Sequence, residues 1–366
     1  MRQLAAIPGI ALILIILWEA FETMILPRRV MRRVRMTREF YRLTWAPWVF
    51  LAKQIRKRKR REKYLSLFGP LSLLGLLAMW TAGIIFGYAM VQWALHSQLN
   101  VPEGEINFGT YFYLSGTTFF TLGYGDVTPL SPLGRSIEVL EAGTGFGLLA
   151  IVIGYLPVLY QSFSRRESNI TLLDARAGSP SSAAELLRRH NAAGNMDDLR
   201  PLLHEWERWS AELLESHLSY PVLCYYRSLH DNQSWLAALT TVLDTCALVM
   251  VGVDGASEWQ ARLTFAMARH AVVDIAQIFS TAPRTVDCCE TRLPPADLER
   301  LREIFAANGV NLREGTEAEQ QLLKLRTMYE PYVVALSEFL MMPLPPWILP
   351  PDSIDNWKTS AWGRIQ

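Results

Sequence analysis

Two long apolar segments on either side of a short glycine-containing string constrain this chain most. Leu71 to Leu95 is 25 residues without a charge, and Ile137 to Phe163 is similar in length, with Glu138 and Glu141 near its start. Each segment is long enough to cross a hydrocarbon core of about 30 Å as a helix. Irregular backbone at membrane depth is tolerated only where protein or water covers it. The order therefore predicts a helix, a re-entrant loop and a second helix.

The string between the two segments reads TLGYGD and runs from Thr121 to Asp126. It resembles the selectivity filter of pore-loop potassium channels. A chain that turns several successive carbonyl groups to one side needs residues that tolerate positive φ, and Gly123 and Gly125 supply them. Such carbonyl groups replace the hydration shell of K⁺. A tight glycine turn between two unrelated membrane helices is the alternative.

The resemblance gives each residue of the string a role. It implies that K⁺ binds to four successive carbonyl groups, those of Thr121, Leu122, Gly123 and Tyr124. The Thr121 hydroxyl would add a ligand at the innermost site. The side chains of Leu122 and Tyr124 would pack behind the filter, and Asp126 would brace its outer mouth. K⁺ is then the bound ion, and no cofactor is expected.

The stretch from Asn107 to Phe120 is apolar and aromatic, which predicts a short pore helix that directs its negative C-terminal dipole at a cation. Its candidate supports for the filter are Tyr113, Thr117 and Thr118. Thr117 stands where some family members have a carboxylate that pairs with the filter aspartate. We therefore expect Asp126 to hydrogen-bond to Tyr113 or to a water.

The following segment, VTPLSPLGRSIEVLEAGTGFG, is similar to the outer-mouth turn and inner helix of bacterial two-helix potassium channels. Alignment without gaps from Gly125 places the hinge glycine of that family on Gly145. A proline removes a helical hydrogen bond and kinks the helix, which makes the region of Pro157 a second possible hinge. The candidate gate residues are Gly143, Gly145, Gly147, Gly154 and Pro157.

The chain contains a single loop of this kind. A filter of this family is built from four loops around an axis, so the resemblance implies a homotetramer. The expected function is passive, potassium-selective conduction, and no enzyme activity is expected. A membrane sensor or adaptor that uses the pore unit as its input, or a non-conducting regulatory subunit, is the alternative.

A basic run precedes the first of the two segments. Arg28 to Lys63 holds 15 lysines or arginines against two glutamates. Short loops of this composition stay cytoplasmic, so the outer helix begins inside. Tyr41 to Ile55 predicts an amphipathic helix on the inner leaflet, interrupted at Pro47, and the run is expected to bind anionic lipid. Nucleic acid is the other usual partner of such a run, but membrane segments on both sides favour lipid.

Ahead of the basic run, Leu4 to Leu26 predicts a further membrane helix with its N-terminus outside the cell. Glu19 and Glu22 lie near its inner end, within reach of Arg28 or Arg29. A cleaved signal peptide is the alternative reading. That pattern has its positive charge before the apolar core, whereas here the charge follows it.

The chain beyond Ser164 shows helical periodicity and no alternating strand pattern, which predicts an all-helical cytoplasmic domain. Its cysteines and histidines are dispersed, and its regulatory ligand is left open. The helices are predicted at Ala183 to His190, Met196 to His217, Trp235 to Val251, Glu258 to Phe279, Pro295 to Ala307 and Glu317 to Met341.

Two segments of this domain leave alternatives. Trp235 to Val251 is apolar enough for a fourth crossing, but Asp244 near its middle favours a buried core helix. Leu173 to Pro180 is predicted as a linker, with a coupling or anion-binding loop as the alternative.

The predicted fold is therefore an all-α, multi-pass protein of the cell membrane. Its parts are an N-terminal membrane helix (1–27), a basic linker (28–65), a pore domain (66–165) with the filter at 121–126, and the cytoplasmic domain (166–366).

Overall fold

The computed structural model describes residues 2–26, 35–102, 105–192, 194, 196–230, 232–285, 292–350 and 353. In this part of the chain the secondary structure is helical except for two short paired strands, which confirms the all-α fold class. The chain divides into two compact units. The first contains Met1–Ile55 and Leu67–Gln161, and the second contains Arg56–Ser66 and Ser162–Gln366.

The helices follow one another in the order α1 (Ala6–Met24), α2 (Met36–Gln54), α3 (Arg58–Ser66), α4 (Phe68–Ala94), α5 (Phe108–Phe119), α6 (Pro132–Ala177), α7 (Ala183–Ala192), α8 (Leu199–Ser219), α9 (Trp235–Gly252), α10 (Glu258–Ile278), α11 (Pro295–Ala307), α12 (Thr316–Thr327) and α13 (Glu330–Leu340). Short 3-10 turns are Arg2–Ala5, Met196–Asp198 and Pro221–Tyr225. The strands β1 (Leu99–Asn100) and β2 (Thr128–Pro129) pair antiparallel on either side of α5.

In the first unit, α1 packs against α4 at a contact built on glycine. Gly83 and Gly87 lie one turn apart on α4, and a Cβ atom on them would come within 2.4 Å of Ile16 and 2.7 Å of Ile13, respectively. Both isoleucines are buried in one apolar cluster with Trp80. Paired small residues let membrane helices approach closely in this way. The contact shows how α1 packs in the first unit, and its retention as a membrane helix stays a prediction.

The buried carboxylate of Glu19 joins the end of α1 to the start of α2. It accepts hydrogen bonds from the backbone amides of Met36 and Thr37, both at 3.2 Å, and from the Thr37 hydroxyl at 2.8 Å. The first amides of a helix have no intrahelical acceptor, and negative charge is stabilising there. Arg28 and Arg29 are the predicted partners of Glu19, and both lie outside the described residues.

The expected interruption of α2 at Pro47 is wrong, because α2 is continuous through this residue. The ring of Trp45 meets that of Phe68 on α4 edge to face, with 4.6 Å between their centroids. Packing of this face on α4 offsets the hydrogen bond that the proline removes. The opposite face leaves Leu43 and Phe50 exposed.

The predicted linker 28–65 is helical over most of its described part. It contains α2, which belongs to the first unit, and α3, which belongs to the second. Within the second unit, Glu62 of α3 lies 3.5 Å from the guanidinium of Arg227. Burial lowers the pKa of Arg227 to about 10, against the opposing influence of Glu62, so the guanidinium is charged at neutral pH.

Helix α9 forms the centre of the second unit. By length and composition it is one of four described helices that qualify as membrane spans, with Gln3–Met24, Arg58–Ala94 and Pro132–Ala177. However, 89% of α9 is buried inside the protein, against 22 to 44% of the 18-residue apolar stretch in each of the other three helices. It packs against α7, α8, α10, α12 and α13. The burial supports a core helix over a fourth crossing.

Asp244 of α9 is the centre of a buried ionic cluster. Arg292 donates to both of its carboxylate oxygens, at 3.2 and 2.8 Å, and to Glu330 at 2.7 Å. The Tyr329 hydroxyl also donates to Asp244, and the Trp347 ring covers the guanidinium of Arg292. Burial by itself would lower the pKa of Arg292. The opposing effect of Asp244 and Glu330 is larger and holds this pKa well above its usual range. The arginine therefore stays charged inside the core.

Two differences from the predicted helices are larger than a few residues at one end. Helix α6 continues to Ala177, so the first part of the predicted linker Leu173 to Pro180 is helical, and Leu173 is buried in the second unit. The helix predicted from Glu317 to Met341 is two helices, α12 and α13. Pro331 lies in the first turn of α13, where its missing amide costs no hydrogen bond.

Replacement of Arg292 by alanine should strongly destabilise the second unit, because two buried carboxylates lose their shared cation. Breaking a buried pair from one side costs about 3–5 kcal/mol. Thermal unfolding of the purified full chain would measure the loss. Arg262→Ala is the matched control, since its pair with Glu258 is more than half exposed and should contribute about 0–1 kcal/mol. Equal midpoints for the two variants would contradict a structural role for the cluster.

Candidate pore-loop site

The pore helix α5 begins with a capping box. The Asn107 side chain accepts a hydrogen bond from the amide of Thr110, and the Thr110 hydroxyl accepts one from the amide of Asn107, both at 3.3 Å. These bonds satisfy two backbone donors and fix where the helix starts. One turn later, the Tyr111 hydroxyl donates to the carbonyl of Ser97, at 3.0 Å. The helix is thereby held against the segment that follows α4.

The backbone leaves α5 by folding the TLGYGD string onto its last turn. The amides of Leu122 and Gly123 donate to the carbonyl of Thr117, at 2.8 and 3.4 Å, and the amide of Thr121 donates to that of Thr118, at 2.9 Å. The last carbonyls of a helix have no intrahelical donor, so these bonds satisfy them. Thr117 and Thr118 thus contact the string through their backbone carbonyls.

Positive and negative φ angles alternate along the string. Thr121, Gly123 and Gly125 have φ of 56°, 54° and 76°, whereas Leu122 and Tyr124 lie on the negative side. Residues that alternate between the two hands turn successive peptide groups toward one side, unlike those of a strand. For the β-branched Thr121 this conformation costs of the order of 1–3 kcal/mol, and such strain concentrates at functional sites.

Asp126 was expected to bond to Tyr113 or to a water, and it bonds to Tyr113. The Tyr113 hydroxyl of α5 donates to Asp126 Oδ2 at 2.9 Å, which ties the outer end of the string to the pore helix. The side chains of Leu122 and Tyr124 are 53% and 68% exposed, so the described part of one chain does not cover them.

Two glutamates of α6, Glu138 and Glu141, lie against the pore helix, a contact that the sequence pattern does not predict. Glu141 is 1% exposed and is hydrogen-bonded to the Ser115 hydroxyl, while the Thr118 hydroxyl donates to Glu138 at 3.4 Å. An ionisable group in a membrane helix costs about 3 kcal/mol and commonly marks a functional site. The cost of a carboxyl group in an apolar helix singles out these two glutamates in the sequence. The sequence does not show which residues of the pore helix they contact.

The candidate hinge residue Gly145 is a point of close approach between α6 and α5. A Cβ atom at Gly145 would lie 2.1 Å from the carbonyl oxygen of Phe119. Helix α6 is continuous through Pro157, the other candidate point. A Cβ atom would meet nothing within 4 Å at Gly143, Gly147 or Gly154. Gly145 therefore has a packing role that the hinge prediction does not include.

Comparison with known proteins decides the family. The family model described as "Ion channel" matches residues 75–161, from α4 into α6, a range that contains the whole pore loop. Protein LctB of Geobacillus stearothermophilus is 31% identical over 93 residues, which cover 23% of this chain and 69% of the relative. The chain belongs to the pore-loop potassium channel family. Membership points to a membrane channel rather than an enzyme.

Two further relatives extend the comparison for this channel-family protein. Protein LctB of Bacillus caldotenax is 29% identical over 99 residues, 23% of this chain and 69% of the relative. An uncharacterized membrane protein of Bacillus subtilis (strain 168), YdjJ, is 23% identical over 246 residues, 66% of this chain and 70% of the relative. The latter similarity is too long to be confined to the first unit. No solved structure matches the chain.

Gly145→Ala should lower the thermal midpoint of the purified channel, because the added methyl group meets backbone that cannot rotate away. Overpacking of this kind costs about 1–3 kcal/mol. Gly143→Ala is the control, since the same change there meets open space and removes a helix-destabilising glycine. If the two variants unfold at the same temperature, the close contact between α6 and α5 is not required for stability.

Proposed function

We propose that this chain is a passive, potassium-selective channel that conducts through the TLGYGD string. The observation that carries the proposal is the alternation of φ from Thr121 to Gly125, on a loop held to the end of the pore helix. Such a backbone suits a row of carbonyl ligands for a dehydrated cation. The negative end of the α5 dipole would favour a cation at the same place. K⁺ would bind at the carbonyl groups of Thr121, Leu122, Gly123 and Tyr124.

The proposed assembly is a homotetramer. One chain supplies one loop, whereas a ring of carbonyl ligands needs several loops around an axis. Large apolar side chains on and near the loop are exposed in one chain, among them Phe120, Tyr124 and Phe146. Exposed large apolar side chains would be covered where such a surface is a contact site. Further copies of the same loop and inner helix would cover it.

Regulation by the second unit is the next part of the proposal. Helix α6 is continuous from the pore loop to Ala177, and its residues from Ser162 onward belong to the second unit. The second unit would therefore act on the inner helix, with its candidate hinges Gly145, Gly154 and Pro157, through the continuous chain of α6.

Arg166 anchors the last part of α6 within the second unit. Its guanidinium donates to the carbonyls of Leu223 and Tyr226, at 2.9 Å each, and pairs with Glu167. It also lies 3.4 Å from Nε2 of His217. Burial, and then Arg166, hold the pKa of His217 well below its usual range, so the imidazole is neutral and accepts from the arginine. These contacts fix the last part of α6 to the rest of the second unit.

The proposed topology places the N-terminus outside, the second unit in the cytoplasm, and anionic lipid at the basic segment 28–63. Part of this segment, 28–34, lies outside the described residues. Helix α2 exposes Leu43, Phe50 and Leu51, and α3 carries the sequence RKRREK. The exposed apolar side chains of α2 and the clustered lysines and arginines of α3 would each suit the interface of an anionic leaflet.

Lipid binding is tested by charge reversal on α3. Arg58→Glu with Lys59→Glu should reduce the thermal stabilisation that phosphatidylglycerol gives over phosphatidylcholine, because each cation near such a surface contributes about 1 kcal/mol. Arg262→Glu, an exposed charge on α10, is the control. Stabilisation by phosphatidylglycerol that is equal in all three proteins would contradict the lipid site.

Conduction is tested by reconstituting the full chain in liposomes and measuring K⁺ and Na⁺ flux. We expect K⁺ to pass about tenfold faster or more, because the site would bind a dehydrated K⁺. Gly123→Ala should abolish the preference, since φ of 54° is strained for alanine. Gly194→Ala is the matched control: Gly194 has φ of 75°, meets nothing within 4 Å and lies outside the pore loop.

The outcomes separate the alternatives. Equal K⁺ and Na⁺ flux contradicts potassium selectivity but agrees with ion conduction by this chain. Selective flux that Gly123→Ala leaves intact contradicts conduction through the string. A folded tetramer that passes no ion at any voltage or pH favours a membrane sensor, an adaptor or a non-conducting regulatory subunit.

A further inference from the structure

Three helices of the first unit meet at the Ser115 side chain. Ser115 lies on α5, one turn before its end, and its hydroxyl oxygen is 2.8 Å from the carbonyl oxygen of Ile85 on α4. The same oxygen is hydrogen-bonded to Oε1 of Glu141 on α6. Ser115 and Glu141 are each 1% exposed. The junction is therefore polar and buried away from solvent.

Counting protons assigns the roles at this junction. A serine hydroxyl has one proton to donate, whereas a carbonyl oxygen only accepts. One hydroxyl proton cannot fully satisfy both contacts, whereas both are satisfied when Ser115 donates to the carbonyl of Ile85 and a protonated Glu141 donates to Ser115. A neutral carboxylic acid also avoids the cost of a buried, unpaired charge. The geometry points to a relay in one direction, from Glu141 to Ser115 to Ile85.

The relay acts on the TLGYGD string through the pore helix. The carbonyls of Thr117 and Thr118, in the turn after Ser115, accept the amides of Thr121, Leu122 and Gly123. A shift or rotation of α5 therefore moves the string with it. Gly145, one turn beyond Glu141, brings α6 into contact with the end of the same helix. Two neighbouring turns of α6, at Glu141 and Gly145, thus contact α5.

We propose that Glu141 is a positioning residue for ion selectivity, which it exerts as a hydrogen-bond donor to Ser115. The inference rests on the proposed potassium channel and deepens it. In this chain Thr117 occupies the position of the pore-helix carboxylate, and its hydroxyl donates to the carbonyl of Leu114 in its own helix. The inner helix supplies the buried carboxyl group that fixes the pore helix instead.

Four variants of the full chain, reconstituted and compared with the unaltered protein, test the proposal. Glu141→Leu and Ser115→Ala should each lower the K⁺/Na⁺ flux ratio about tenfold, because each removes the relay. Glu141→Gln should keep the ratio, since its amide also donates a proton. Tyr88→Phe is the structural control: it removes a 2.9 Å hydrogen bond between α4 and α6, to Thr144, that does not involve the pore helix.

Hydrogen exchange of the Leu122 and Gly123 amides is the second measurement, because it needs no open gate. These amides should exchange faster in Glu141→Leu and Ser115→Ala, and at the unaltered rate in Glu141→Gln and Tyr88→Phe. Unchanged selectivity and exchange in Glu141→Leu would overturn the proposal. Equal effects of Gln and Leu at position 141 would overturn the donor role.

The two measurements also separate this inference from the proposed function. If the unaltered chain conducts without selectivity, or does not conduct, the potassium-channel proposal fails. Hydrogen exchange then decides the positioning role by itself. If the Leu122 and Gly123 amides exchange faster in Glu141→Leu but not in Tyr88→Phe, the result supports the role of Glu141 in positioning the string.

Discussion

The first unit depends on how the end of the pore helix satisfies its backbone. The last carbonyls of any helix lack intrahelical donors, and within an apolar unit no bulk water replaces them. Here the amides of Thr121, Leu122 and Gly123 fold back onto the carbonyls of Thr117 and Thr118. The bonds join the start of the string, where the alternating φ angles begin, to the last turn of α5. Every contact that orients α5 therefore also orients the string.

Buried carboxyl groups join elements in both units. Glu19 binds the free amides at the start of α2, Glu141 contacts Ser115 on the pore helix, and Asp244 holds Arg292 in the core of the second unit. A carboxyl group in an apolar helix is costly without a partner, so it selects the arrangement that supplies one. These residues specify which helices meet, whereas the apolar surfaces around them supply most of the burial.

Much of the fold is readable from local pattern. The predicted helices at Ala183, Trp235, Glu258 and Pro295 begin at the residues where α7, α9, α10 and α11 begin, because capping residues, prolines and apolar periodicity mark these boundaries. The contact between Tyr113 and Asp126 was one of two predicted possibilities. The ends of α6 and the division between α12 and α13 were missed. Burial of Leu173 and the place of Pro331 in a first turn decide them, and both depend on tertiary context.

By itself the sequence determined the apolar spans, the pore helix and the glycine positions at which the string takes positive φ, since these follow from composition and from the conformational range of single residues. Tertiary structure alone decided the partners. Ser115 meets Glu141 across 26 positions of sequence, Glu19 meets Thr37 across 18, and Arg292 meets Asp244 across 48. Such contacts depend on how helices cross and how closely they approach, as at Gly145 and Phe119. No periodicity within one helix encodes that distance.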